Sequence, residues 1–304
     1  MVSFNLTIIG SGSGAPLPGR FTSAQVLNVH ERFVLIDCGE GTQINLRRFG
    51  INFNRIELIL ISHLHGDHYL GLPGLLNTFH LLGRKKELHI AGHRKLKELI
   101  DFIFNMAGFA PSYPIHFHII EDIAIDSQLL FPAFSVIFFP LRHRIIATGF
   151  RISELPNKRK MNREFIFKYQ PSVDAIKLIQ AGNDFLAPNG QVVSQDEIFL
   201  KPSPPRSFAY VSDTVYSREI VSYIQGVDLL YHEATYAALL QASAIDKMHS
   251  TSVDAAKIAL EAEVKKLAIG HFSSRYKDTD LLLREAQALF PQTIACFDGL
   301  KIEI

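Results

Sequence analysis

Short apolar or β-branched runs punctuate the first half of the chain, at Phe4 to Ile9, Gln25 to Val29, Phe33 to Asp37, Leu58 to Ser62, Leu88 to Ala91, Ile115 to Ile119, Ser135 to Phe139 and Ala147 to Ile152. Runs of this length, set off by Gly, Pro, Asn and Asp, predict strands. Helical spacing of apolar positions lies between some of them, over Thr42 to Phe49 and Lys95 to Phe104. It also runs over Tyr69 to Leu82, although Gly71, Pro73 and Gly74 stand near the start of that segment. The second half is more regular, with strands at Phe208 to Ser212, Asp228 to His232 and Lys266 to Gly270 and helices at Ser217 to Ile224, Ser252 to Glu263 and Thr279 to Phe290. Strands alternating with helices predict an α/β architecture.

Arg151 to Arg206 interrupts this rhythm. It holds a basic cluster (Lys158, Arg159, Lys160, Arg163), a helical stretch from Ser172 to Gln180, a turn at Pro188-Asn189-Gly190 and a proline-rich exit from Pro202 to Pro205. Nine Lys and Arg against six Asp and Glu give it a local charge of +3, and it reads as an insertion.

Composition narrows the class. Hydrophobic residues form 47% of the 304 against 20% charged, which excludes disorder and allows a large buried core. The 31 Lys and Arg and 30 Asp and Glu nearly cancel, so a polyanionic partner would have to be held by local patches. Two cysteines, Cys38 and Cys296, beside 13 histidines exclude a disulfide scaffold, point to a reducing cytoplasm, and leave any metal site to nitrogen and oxygen ligands. Met1 to Ile9 has no basic leader and reads as a strand rather than a signal peptide. No apolar run approaches the roughly 18 residues a membrane helix needs. The longest, near Phe131 to Leu141, is broken by Pro132 and Pro140, so a soluble protein is expected.

Gly10-Ser11-Gly12-Ser13-Gly14-Ala15 imitates a dinucleotide fingerprint, but Pro16 and Pro18 oppose the helix that such a site requires, and a tight loop near an active site is the better reading. The stronger signal is His63-Leu64-His65-Gly66-Asp67-His68, directly after the Leu58 to Ser62 strand. Imidazole and carboxylate suit zinc. Four such groups within six residues exceed the three that one catalytic zinc ordinarily takes, so two adjacent metals are predicted.

This motif resembles that of the metallo-β-lactamase superfamily, and nearly the whole chain resembles the ribonuclease Z family within it. The resemblance rests on Ile9 to Ser13 with Pro16, Arg20 and Ser23; on Asp37 to Gln43; on the histidine motif; and on His143. It continues through Ser212-Asp213-Thr214, His232 to Thr235, His249-Ser250-Thr251 and Gly270 to Tyr276. It implies an αββα sandwich of two facing sheets with helices outside, spanning 1–304 as one domain with the basic arm inserted at 151–206. It implies two zinc ions per chain, His63, His65 and His143 on one, Asp67, His68 and His271 on the other, and Asp213 bridging them. Asp37 would orient a ligand histidine from behind. The implied reaction is endonucleolytic removal of the 3′ trailer from precursor tRNA, leaving a 3′-hydroxyl on the tRNA and a 5′-phosphate on the trailer. Asp67 would accept a proton from water, His249 would donate one to the departing 3′-oxygen, and Glu233 would orient or charge His249. A homodimer in the cytoplasm, with precursor tRNA as partner and no membrane, completes the implied picture. In one respect the chain departs from many bacterial members, since the arm has no Gly-Pro pair at its tip.

Two other function classes fit the zinc motif alone: hydrolysis of a small phosphodiester, sulfate ester or thioester, and RNA binding without catalysis around a structural metal. The basic insertion argues for the RNA enzyme, because phosphate contacts remote from the cut add affinity. His249-Ser250-Thr251 could equally be a helix cap. His116 and His118, two apart on one strand face, read as solvated, as do His30, His80, His89 and His93, and Cys38 reads as a buried small hydrophobe.

Overall fold

The computed structural model of the protein describes residues 2–123, 127–156, 159–201 and 204–304; Met1, Lys158 and Pro202, which the sequence reading invoked, lie outside them. The chain forms two compact units, Leu155–Pro205 and the remainder, Met1–Glu154 with Arg206–Ile304.

In chain order the strands are β1 (Phe4–Gly10), β2 (Ala24–Val29), β3 (Arg32–Ile36), β4 (Ile56–Leu60), β5 (Leu88–Gly92), β6 (Ile115–Ile119), β7 (Gln128–Leu130), β8 (Phe134–Leu141) and β9 (Ala147–Glu154). There follow β10 (Phe185–Leu186), β11 (Val192–Val193), β12 (Ser207–Val211), β13 (Leu229–Glu233), β14 (Leu267–Gly270), β15 (Thr293–Ala295) and β16 (Lys301–Glu303). The larger unit holds two seven-stranded sheets, ordered β16-β1-β2-β3-β4-β5-β6 and β15-β14-β13-β12-β9-β8-β7. Alternation along the strands decides the layers. Leu6, Ile8, Leu27, Val34 and Leu58 of the first sheet pack with Val136, Phe150, Phe208, Tyr210 and Tyr231 of the second in one buried core. The opposite faces are covered by helices α1 (Thr42–Arg48), α2 (Gly66–Tyr69), α3 (Leu72–Leu81) and α4 (Arg94–Met106) on the first sheet. The second is covered through Ile224, Ala255, Ile258, Ala259, Leu282 and Ala286 of later helices. The result is the αββα sandwich that the family resemblance implied.

One expected helix, Tyr69 to Leu82, is divided between α2 and α3. The break falls at Gly71, where an added Cβ would stand 2.1 Å from the Gly39 carbonyl oxygen. Gly71 N–H donates to the Cys38 carbonyl at 2.9 Å instead of to a carbonyl one turn back, which ends α2, and glycine leaves room for that approach.

The smaller unit has its own core of Phe165, Ile179, Ala187, Val193, Ile198 and Phe199. These come from α5 (Arg163–Tyr169), α6 (Val173–Gln180), α7 (Gln195–Ile198) and the β10–β11 hairpin. Pro188-Asn189-Gly190 turns that hairpin, closed by Gly190 N–H to the Ala187 carbonyl at 2.9 Å, with Gly190 at φ 80°. In the larger unit the remaining helices are α8 (Val221–Ile224), α9 (Gln241–Lys247), α10 (Ser252–Glu261) and α11 (Asp280–Gln287). Among the described residues no helix is long and apolar enough to cross a membrane.

Candidate metal centre

Pairing directions bring the chemistry to one edge. β12, β13 and β14 are mutually parallel, and β8 runs the same way because β9 is antiparallel to both β8 and β12. Their carboxyl ends therefore present His143, Asp213, Glu233 and His271 side by side, while β4 delivers the His63 to His68 segment from the facing sheet. Asp37 and His271 adopt left-handed φ of 55° and 59°, which side chains tolerate only where surroundings impose it.

Every implied metal ligand is in the cluster. His63, His65, His143 and Asp213 form one group of converging donor atoms, and Asp67, His68 and His271 another. Asp213 lies between, one oxygen to each side: Oδ2 is 3.5 Å from His63 Nε2 and 3.8 Å from His143 Nε2, and Oδ1 is 3.5 Å from His68 Nε2 and 3.2 Å from His271 Nε2. His249 joins Asp213 and His271 in a third grouping.

Tautomers follow from the outward hydrogen bonds. His68 Nδ1–H donates to Asp37 Oδ2 at 2.7 Å, and His143 Nδ1–H to the Met248 carbonyl at 2.8 Å. The Ser62 hydroxyl gives its proton to Asp37, leaving its oxygen to accept from His63 Nδ1 at 3.0 Å; His271 Nδ1 faces Thr235 Oγ1 at 2.9 Å. The inward nitrogens crowd one another, with His63 Nε2 and His143 Nε2 each 3.1 Å from His65 Nδ1 and His68 Nε2 3.3 Å from His271 Nε2. Ring nitrogens converging at such distances suit a cation among them. The charges agree. Burial and the neighbouring His68 push His63 down to about 4, so it is neutral. Burial opposes charge on His68, but Asp213, Asp67 and Asp37 outweigh it and draw positive charge there. Burial likewise disfavours an ionised Asp67, yet His68 and His271 hold its carboxyl well below the usual range. The donor set fits a metal cofactor of the nitrogen and oxygen class.

Asp37 is fully buried and accepts from Ser62 N–H (2.8 Å), Ser62 Oγ–H (2.9 Å), His68 Nδ1–H and the Tyr210 hydroxyl (2.6 Å). A carboxylate so supported fixes the His68 ring. Beside the cluster, Glu233, also fully buried, accepts from Thr214 N–H (3.0 Å), Thr235 N–H (3.1 Å), Thr235 Oγ1–H (2.7 Å) and His249 Nδ1–H (2.9 Å). Burial works against a charged His249, but Glu233 prevails and pushes it up to about 9. The helix-cap reading of this segment also holds, because Thr251 caps α10 in a capping box with Asp254. One stretch thus starts a helix and sets His249 against Glu233.

Gly10 to Ala15 forms no helix, and Gly14 N–H donates to Asp67 Oδ2 at 2.7 Å, a contact that the sequence did not disclose. Cys38 is buried in the outer core of the first sheet. The solvated reading fails for His93, which is 6% exposed and within 3.2 Å of Thr148 Oγ1. His116 and His118 are joined by His89 from the parallel neighbour strand, with His89 Nδ1 2.9 Å from His118 Nε2. Those two rings are nearly coplanar, 21° apart with centroids at 5.2 Å, so the nitrogens point head-on as in a hydrogen bond rather than converging on an ion.

Relatives share this arrangement of chain and fold. Residues 4–101 match the family model described as anti-Pycsar protein Apyc1. The chain is similar in fold to the metallo-β-lactamase fold protein YhfI of Bacillus subtilis (TM-score 0.70, 19% identity, 99% of this chain and 100% of that one). It is also similar to the short form of human tRNase Z (TM-score 0.69, 25% identity, 99% of each chain). Over its whole length it is 42% identical to ribonuclease Z of Bacteroides thetaiotaomicron, covering 96% of that protein. An identity of that size across both chains, on this sandwich and around this histidine and aspartate cluster, means that the chain belongs to the ribonuclease Z family.

Proposed function

We propose that the protein is a zinc-dependent endoribonuclease that removes the 3′ trailer from precursor tRNA, leaving a 3′-hydroxyl on the tRNA and a 5′-phosphate on the trailer. The observation that carries the reading is Asp213, with one oxygen toward each group of histidines, an arrangement suited to two metals sharing a carboxylate. His63, His65 and His143 would hold one zinc, Asp67, His68 and His271 the other, and Asp213 both. Two bound zinc ions would supply Lewis acidity toward the phosphodiester and a water of lowered pKa.

The chain's own residues do the rest. Asp67, ionised and anchored by Gly14 N–H, accepts the proton of the attacking water. His249, kept protonated by Glu233, donates to the departing 3′-oxygen, and Glu233 keeps its own position through Thr214 and Thr235. The arm at 151–206 serves as a remote tRNA grip, in which Arg163 and Lys168 stand near the exposed Phe167. Exposed Leu81, Phe102 and Met106 at the ends of α3 and along α4 support pairing of two chains into a homodimer, which would act in the cytoplasm. Hydrolysis of a small ester is less well supported, since relatives of matching length bear the ribonuclease Z name.

Incubating zinc-loaded protein with precursor tRNA labelled at either end, and mapping both products, tests the proposal. Expected are one cut at the trailer boundary and the two stated end groups. Hydrolysis of chromogenic phosphodiesters with intact precursor would overturn it.

A further inference from the structure

We infer that Asp298, in the turn before β16, is a positioning residue for Asp67: it clamps both ends of the glycine-rich loop and so fixes the Gly14 amide that holds the Asp67 carboxylate. The inference rests on the proposed reaction only for its catalytic consequence.

The loop is exposed at Gly14, Ala15 and Pro16 and has no buried apolar side chain there to fix it. Its order comes from hydrogen bonds. Asp298 Oδ1 accepts from Ser11 N–H at 2.9 Å and Ser11 Oγ–H at 2.7 Å, and Oδ2 accepts from Phe21 N–H at 2.7 Å. Ser11 directly follows β1, and Phe21 stands three residues before β2. Between them Gly12 N–H donates to the Phe21 carbonyl at 2.9 Å, and Leu17 and Arg20 exchange bonds of 2.9 and 3.0 Å. A rigid stem therefore carries Gly14 to Asp67 Oδ2, 2.7 Å away.

The clamp is itself anchored. Gly299 N–H donates to the Ile8 carbonyl at 2.8 Å and Ile8 N–H to the Leu300 carbonyl at 2.9 Å, so the turn carrying Asp298 is tied to β1. The second metal group is tied in through the same loop, because Phe272, next to His271, donates its N–H to the Ser11 carbonyl at 3.0 Å and accepts from Ser13 N–H at 3.1 Å. Three donors converging on one carboxylate from both ends of the Ser11 to Phe21 span fix the loop as no single contact would. A neutral amide cannot replace it, since its NH₂ would confront either the Phe21 or the Ser11 N–H.

The test compares wild type with Asp298→Asn and the milder Ser11→Ala, which removes one of the three donors. Hydrogen exchange of the Gly14 amide, zinc content, melting temperature and steady-state hydrolysis of bis(p-nitrophenyl) phosphate are measured. Expected are faster Gly14 exchange in both variants, unchanged zinc, and kcat lowered on the order of 10- to 100-fold in Asp298→Asn at nearly constant KM, the scale of a small misplacement of a reacting group. Ser11→Ala should lie between. Unchanged Gly14 exchange in both variants would overturn the inference, as would kcat within twofold of wild type in both, or a loss that tracks zinc or melting temperature rather than exchange. If wild type itself fails to hydrolyse phosphodiesters, the proposed function falls, while the exchange comparison still decides whether Asp298 holds Gly14.

Discussion

Replacing His249 by alanine separates an acid from a ligand, two roles between which its position is finely divided. The ring lies 5.6 Å, centroid to centroid, from His271 and its Nδ1 is 3.9 Å from Asp213, close enough to join the donors. That same Nδ1 is 2.9 Å from Glu233 Oε1, which makes it a donor to a carboxylate rather than a free lone pair. Removing the ring costs Glu233 one partner of four, and the donors from Thr214 and Thr235 remain. The loss of one such bond is worth about 1 to 3 kcal/mol, so the fold should persist with a modestly lower melting temperature.

Catalysis should suffer more. Loss of a general acid commonly slows turnover by about 10² to 10⁴, which corresponds to roughly 3 to 5 kcal/mol of barrier. Single-turnover cleavage of precursor tRNA by His249→Ala should fall in that range with zinc content and RNA affinity intact. A substrate that releases p-nitrophenolate needs little help from a proton, and its rate should fall by less than roughly tenfold. Glu233→Gln supplies the pH arm of the experiment. Without the Glu233 charge, burial is opposed only by Asp213 and Asp67, and the His249 pKa falls from its raised value, so the pH above which RNA cleavage declines should move downward. The stability that the pair contributes is full below the imidazole's ordinary pKa of about 6.5 and is lost as pH rises through the raised one. Equal losses on both substrates, or zinc lost from His249→Ala, would make His249 a structural or metal-supporting residue and refute the assignment.

Asp213→Ala should disturb both metals at once: mass spectrometry should find two zinc ions in wild type and fewer than one firmly held in the variant, and a full complement would refute the bridge. Replacing 155–205 by a short linker should weaken tRNA processing by far more than hydrolysis of a chromogenic phosphodiester, because remote contacts add binding and not metal chemistry; equal losses with zinc and fold intact would refute it. Glu154 is pushed up by burial but more strongly down by Arg206 and His30, so its carboxyl lies below the usual range. Its stabilisation is present above the ordinary carboxylate pKa of about 4.3 and is lost as pH falls through the folded value. Glu154→Gln should therefore unfold at lower urea than wild type near pH 7, and the gap should close on acidification; a gap independent of pH would show that charge is not its source.

The sequence exposed what is local and hid what depends on register. His63 to His68 is legible because four ligand-type residues sit within six positions, and the strand before it is a continuous apolar run. His143, Asp213 and His271, named by the family resemblance, look in the sequence itself like isolated polar residues after strands; the parallel pairing of β12, β13 and β14, with β8 placed through β9, makes neighbours of them. The division of α2 from α3 had a visible glycine but no visible cause, since the Gly39 carbonyl that forbids a side chain is 32 residues away in sequence. β7, β15 and β16, three residues each, are too short to produce a pattern. The approach of His89 to His118 depends on β5 and β6 pairing in one register, which no spacing in the sequence reports.

The arm departs from β9 at Glu154 and returns at Arg206 before β12, two strands that are hydrogen-bonded partners. Glu154 N–H donates to the Arg206 carbonyl at 2.9 Å, and the Arg206 backbone and guanidinium donate back to the Glu154 carboxylate at 2.6 to 3.0 Å. Its guanidinium also reaches the Val2 and Ile304 carbonyls. The rung is closed whatever lies between its ends, and closure cost grows only slowly with the length of the excursion. The arm is accordingly a cassette: its sequence can be rewritten, lengthened or exchanged between relatives while the sandwich keeps its register. With the arm as the proposed tRNA grip, lineages can retune how substrate is held without reopening the chemistry of the centre, which gives a physical reason for an arm tip without Gly-Pro on this scaffold.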